Sequence, residues 1–97
     1  MRAVAQSADA ATLLKQRTLA LWVAQNRLAS AQLETTWPAP GKRDGAATQA
    51  STAFLWHETI SGTPNPAFRR IEIVVAGAAA PGYVLARLSG FVGRTAE

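Results

Sequence analysis

From Ala3 to Glu34 the chain holds neither glycine nor proline, and alanine, leucine, glutamine and arginine dominate. Nothing in that stretch breaks a helix, so it predicts one continuous helix. Ser7 and Asp9 are the residues able to cap a first turn. At 1.5 Å per residue the helix is about 45 Å long. A chain of 97 residues forms one domain at most, with a small core. A domain of that size cannot cover the whole helix, so part of it must project or meet a partner.

The apolar positions sharpen this. Leu14, Leu21 and Leu28 recur every seven residues with Ala10, Ala24 and Ala31 beside them, and only Arg17 interrupts the stripe. Taken alone, such a stripe is the face a helix lays on its own core. The middle segment, Leu19-Ala-Leu-Trp-Val-Ala24, is apolar nearly all the way round, with Leu19, Trp22 and Val23 away from the leucines. A helix apolar on more than one side is covered on more than one side. The domain's own sheet supplies one cover and a partner the other. Leu14, Arg17, Leu21, Trp22, Gln25 and Leu28 are the positions shared between them. Arg17 inside the stripe either sets register or pairs with a partner carboxylate, because a buried charge requires a counterpart.

The helix ends near Gln32–Thr36, where Thr35-Thr-Trp-Pro-Ala-Pro-Gly41 brings two prolines and a glycine. Residues 37–45 read as a loop in which Trp37 can fold back onto the helix end. Beyond it the period changes to two. Phe54, Trp56 and Ile60 share one parity, with Glu58 between them, and Leu55, His57 and Thr59 share the other, which predicts a strand over Ala53–Ile60. Ser61–Pro66 is rich in turn formers. A second strand covers Arg69–Ala76, with Ile71, Ile73 and Val75 inward and Arg70 and Glu72 outward. A third covers Tyr83–Leu88, with Phe91–Val92 as its extension. A weaker strand over Ala46–Gln49 pairs with Ala53–Ile60 through a turn near Ala50–Thr52. Short connections favour an antiparallel meander. The reading is α+β and one domain: a long N-terminal helix over residues 1–36, a connecting loop with a short strand over 37–52, and an antiparallel sheet over 53–97.

Little in the sequence supports chemistry. Without cysteine there is no disulfide, thiolate metal site or cysteine nucleophile. The one histidine, His57, adjoins Glu58, but neighbours on a strand point to opposite faces, so the two do not share a pocket. The glycines are spaced as turns and strand ends rather than as a phosphate loop, and Asp9 and Asp44, the only aspartates, are too far apart to suggest calcium. No catalytic, cofactor or metal residue is assigned. The net charge is +4, but Lys42–Arg43 is followed at once by Asp44, and Arg69–Arg70 two residues later by Glu72, so the basic residues do not cluster as nucleic-acid binding requires. No run of about 18 apolar residues is present to span a bilayer, and no apolar core of a signal peptide follows Arg2.

Several stretches, in order, resemble the minor pseudopilin I family of the bacterial type II secretion system, the general secretion pathway protein I family. They are the helix motif Thr18-Leu-Ala-Leu-Trp-Val-Ala-Gln-Asn-Arg-Leu-Ala29, the loop Trp37-Pro-Ala-Pro-Gly41, the aromatic strand Phe54-Leu-Trp56, the loop and strand Asn65-Pro-Ala-Phe-Arg-Arg-Ile-Glu-Ile73, and the C-terminal Leu85-Ala-Arg-Leu-Ser-Gly-Phe-Val-Gly93. The resemblance covers nearly the whole chain. It implies a pilin-like fold and a structural, non-enzymatic protein without a cofactor, which joins the minor pseudopilins J, K and H at the pseudopilus tip to initiate or cap the filament. It also implies an inner-membrane protein with this domain in the periplasm. The leader, the prepilin peptidase site and the apolar first half of the helix that family precursors carry are not in this sequence. The simplest expectation is a soluble periplasmic fragment, in which processing and N-terminal methylation fall on no residue present. Two other readings remain: a minor pilin of a type IV pilus or competence system, with the same fold and other partners, and a basic nucleic-acid-binding module, which rests on net charge alone.

Overall fold

The computed structural model describes residues 2–34 and 37–94. One helix, α1 (Arg2–Gln32), precedes four strands, β1 (Gly41–Gln49), β2 (Thr52–Gly62), β3 (Phe68–Gly77) and β4 (Val84–Gly93). The strands form one antiparallel sheet in chain order, β1-β2-β3-β4. The helix packs on one face of it, chiefly over β4 and β3. The molecule measures 62 × 25 × 19 Å, so the helix runs well beyond the sheet it covers. Helix α1 begins ahead of both Ser7 and Asp9, so neither caps it. Thr35 and Thr36, at the far end of the expected helix terminus, lie outside the described residues.

The parity of the second half holds. Register pairs Trp56 with Val75, Glu58 with Ile73 and Ile60 with Ile71, and Ile73 in turn with Leu88. Phe54, Ile60, Ile71, Ile73 and Val75 are buried under the helix. Arg70, His57 and Thr59 lie exposed on the opposite face, with Glu72 half-buried between Arg70 and Arg87.

Two expectations change. The first concerns the residues before Ala46: Gly41–Gly45 belong to β1, paired from Gly41↔Ile60 to Gln49↔Thr52, rather than to a loop. The second concerns the leucine stripe, which is the core face only in part: its Ala24 and Ala31 are buried and Leu28 half-buried, while Leu14 and Leu21 are exposed. The helix meets the sheet through Ala20, Val23, Ala24 and Ala31, all buried, with Leu13, Leu19 and Leu28 half-buried beside them. Small helix residues let the backbone approach β3, whose isoleucines and valine supply the bulk. Leu14 remains 67% exposed, Leu21 39% and Trp22 53%.

The β1–β2 hairpin turns through Ala50 and Ser51 at φ 49° and 64°. A two-residue turn of this hand asks for Asn-Gly, since a Cβ is strained at positive φ. Replacing Ala50-Ser51 by Asn-Gly is expected to stabilise the domain by about 1–2 kcal/mol, read as a rise of several degrees in thermal melting.

Candidate functional site: the helix flank and the charge cluster beneath it

The described residues offer no catalytic constellation. Among them no group of three or more His, Cys, Asp or Glu side chains is placed to hold a metal ion. His57 Nδ1 lies 2.6 Å from Asp44 Oδ1 on the exposed sheet face, away from Glu58. A cavity of about 130 Å³ opens between α1 and the end of the sheet, lined by Leu13, Gln16, Phe54, Ala80, Tyr83 and Leu85 among others. Its lining carries no carboxylate, imidazole or amine to move a proton.

The buried polar feature is Glu58, whose side chain is 0% exposed. Inward parity on β2 aims it at the helix. Arg27 reaches it from α1, Nε to Oε2 at 2.6 Å, and Arg43 from β1, Nη2 to Oε1 at 3.0 Å. Arg43 also forks onto Glu34 at 2.8 and 2.9 Å. The Arg27 guanidinium lies 3.9 Å from the centre of the Trp56 ring, a favourable stacking of cation on indole. Trp56 in turn lies flat over Gly45, its cross-strand partner, where an added Cβ would overlap the indole. Gly45→Val is therefore expected to displace Trp56 from Arg27 and cost about 1–3 kcal/mol, measured by denaturant unfolding. The cluster is neutral and its four charged groups pair with one another, with Glu58 buried among them, so it ties the helix to the sheet.

Arg43 holds the Glu34 carboxyl below the ordinary glutamate range, mainly by their side-chain hydrogen bond, and Glu34 raises Arg43 in return. A carboxyl whose folded value is lowered adds stability above its unfolded value and loses it as pH falls through the folded one. Acidification below the ordinary carboxylate range is expected to lower the melting temperature. Arg43→Gln is expected to flatten that dependence in melts recorded across the acid range.

The expected contact residues divide by position. Leu14, Arg17, Leu21, Trp22 and Gln25 are exposed on α1, whereas Leu28 is half-buried against Gly90 of β4. Arg17 donates to the Tyr83 hydroxyl at 3.2 Å and is not enclosed. Gln32 Nε2 donates to the Phe91 carbonyl at 3.2 Å. Because Arg17, Leu28 and Gln32 all reach β4 or the residue before it, the flank shared with Leu14 and Leu21 runs along the β4 side of the sheet. Trp22 lies further round toward open solvent. At the other end Trp37 packs on the core beneath Arg69, whose guanidinium sits 5.1 Å from its ring and whose Nε donates to the Pro38 carbonyl at 3.0 Å. Sequence reasoning missed the Arg27–Glu58–Arg43 cluster. Its one signal was Glu58 on the inward parity of β2.

Comparison with known proteins gives this geometry a family. Relatives named "Type II secretion system protein I" are 36% identical over 76 residues in Pseudomonas aeruginosa and 31% identical over 75 residues in Dickeya chrysanthemi. These matches take in 78% and 77% of this chain but 59% and 60% of the relatives, so the chain spans about three-fifths of their length. Among solved structures, a chain of "The Crystal Structure of the GspK-GspI-GspJ complex from enterotoxigenic Escherichia coli Type 2 Secretion System" superposes with a TM-score of 0.73 at 24% identity. That match covers 84% of this chain and 98% of the other, and it shows the fold. No described helix is long and apolar enough to cross a membrane. Residues 14–93 match the family described as type II secretion system (T2SS), protein I, and the chain belongs to that family.

Proposed function

We propose that this chain is the periplasmic part of a minor pseudopilin that assembles through α1 with the J and K pseudopilins, and with H, at the tip of the secretion pseudopilus. The full protein is anchored in the inner membrane, and the tip complex initiates or caps the filament. Nothing enzymatic is required of it. The observation that carries this reading is the uncovered apolar flank of α1, where Leu14, Leu21 and Trp22 are exposed. Apolar surface of this kind marks a contact site. The neighbour of known structure, which shares the fold, was crystallised as a complex of K, I and J proteins, and this supports J and K as the partners.

The test is size-exclusion chromatography with light scattering on this chain mixed with the soluble domain of the J pseudopilin from the same bacterium. A stable one-to-one complex is expected. A mixture that elutes as two separate monomers overturns the reading.

A further inference from the structure

We infer that the free edge of β4 is a docking strand, and that the partner adds an extended segment to the sheet there, alongside the flank of α1. The inference rests on the partner reading above and specifies where beyond the helix that partner binds.

The two edges of the sheet are unlike. The β1 edge reads Gly-Lys-Arg-Asp-Gly over residues 41–45, the charges and glycines that blunt an edge against further pairing. The β4 edge is ten residues long, contains no lysine or proline, and exposes Val84 and, at 57%, Phe91. Among the described residues, β3 is the only strand that pairs with β4.

The direction of its main-chain groups follows from two contacts. The Arg94 amide donates to the Ala67 carbonyl, so residues of even number point at β3. The Phe91 carbonyl accepts from the Gln32 side chain, so residues of odd number point outward. Arg87, Ser89 and Phe91 therefore present an unpaired row, of which Gln32 covers one carbonyl. Only another extended backbone matches that spacing of donors and acceptors.

The occupant is an amphipathic strand. Its inward side chains lie beside Leu28 and the exposed Leu21 and are apolar. Its outward ones face Arg87, which is half-exposed and held by Glu72 only at 3.3 Å, and include a carboxylate. A second copy offering its β1 edge would bring only the glycine- and charge-blunted stretch over residues 41–45 to the pairing, so a different protein is the better match.

Amide hydrogen exchange followed by NMR tests this on the unmodified chain, alone and with the J domain. Alone, Arg87 and Ser89 are expected to exchange fast while Leu88 and Gly90 are slow. In the complex, Arg87 and Ser89 slow by at least tenfold. Ser89→Pro removes an outward N–H and leaves the β3 ladder intact. It is expected to keep the melting temperature within a few degrees and weaken the complex by at least tenfold. A complex that forms with Arg87 and Ser89 still exchanging fast overturns the docking strand and leaves the helix contact standing. No complex at all overturns both. Slow exchange at Arg87 and Ser89 in the concentrated chain alone assigns the edge to a second copy, against the inference.

Discussion

Arg27→Ala is expected to destabilise the domain by about 3–5 kcal/mol, the cost of breaking a buried ion pair by removing one partner. Glu58 is 0% exposed in the parent and loses the nearer of its two arginine partners. Arg43 alone must neutralise it while also serving Glu34. The change also strips the cation from Trp56 and the packing stem of Arg27 from the helix–sheet seam. For a domain of this size each kcal/mol is about 4–8 °C of melting temperature, so a fall of 12 °C or more in a thermal melt is expected. The double variant Arg27→Leu/Glu58→Leu is expected to recover most of it. It removes both charges, and Arg43 keeps Glu34. If the double variant is as unstable as the sum of the single ones, the pair is not coupled as described.

Trp22→Asp separates folding from assembly. Trp22 is 53% exposed on the solvent side of α1 and Leu21 is 39% exposed on its β4 flank, so neither anchors the core. Melting of Trp22→Asp or Leu21→Asp is expected to stay within a few degrees of the parent. Binding is another matter. Large aromatic side chains at the centre of a contact commonly carry about 2–4 kcal/mol, equivalent to roughly a 30- to 1,000-fold change in Kd. An aspartate there adds the cost of burying a charge. Calorimetric titration with the J domain is expected to show at least that loss for Trp22→Asp.

Much of the fold was legible because apolar spacing and backbone geometry agree. The strict alternation of Ile71, Ile73 and Val75 fixed the inner face of β3, and the absence of breakers through Glu34 fixed the helix. β1 was only partly legible. Its inward residue Arg43 is charged, so alternation of apolar and polar residues fails over Gly41–Gly45. Its burial is compensated by Glu58 and Glu34, which only the folded chain brings near. The leucine stripe misled for a related reason. Heptad leucines are the usual core face, but here the stripe's own Ala24 and Ala31, with Ala20, make the closest helix–sheet approach, and two of the three leucines remain outside. Arg27 and Glu58 lie 31 residues apart in sequence, on a helix and a strand with no local signal linking them.

The central claim is that the exposed flank of α1 is the partner surface. Its most direct test is paired calorimetry, with the J domain titrated into this chain and into its Leu21→Asp/Trp22→Asp variant, after melting curves confirm that both are folded. A measurable one-to-one affinity for the parent and none for the variant is the expected result. Equal affinity for both would contradict the claim and move the interface off the helix.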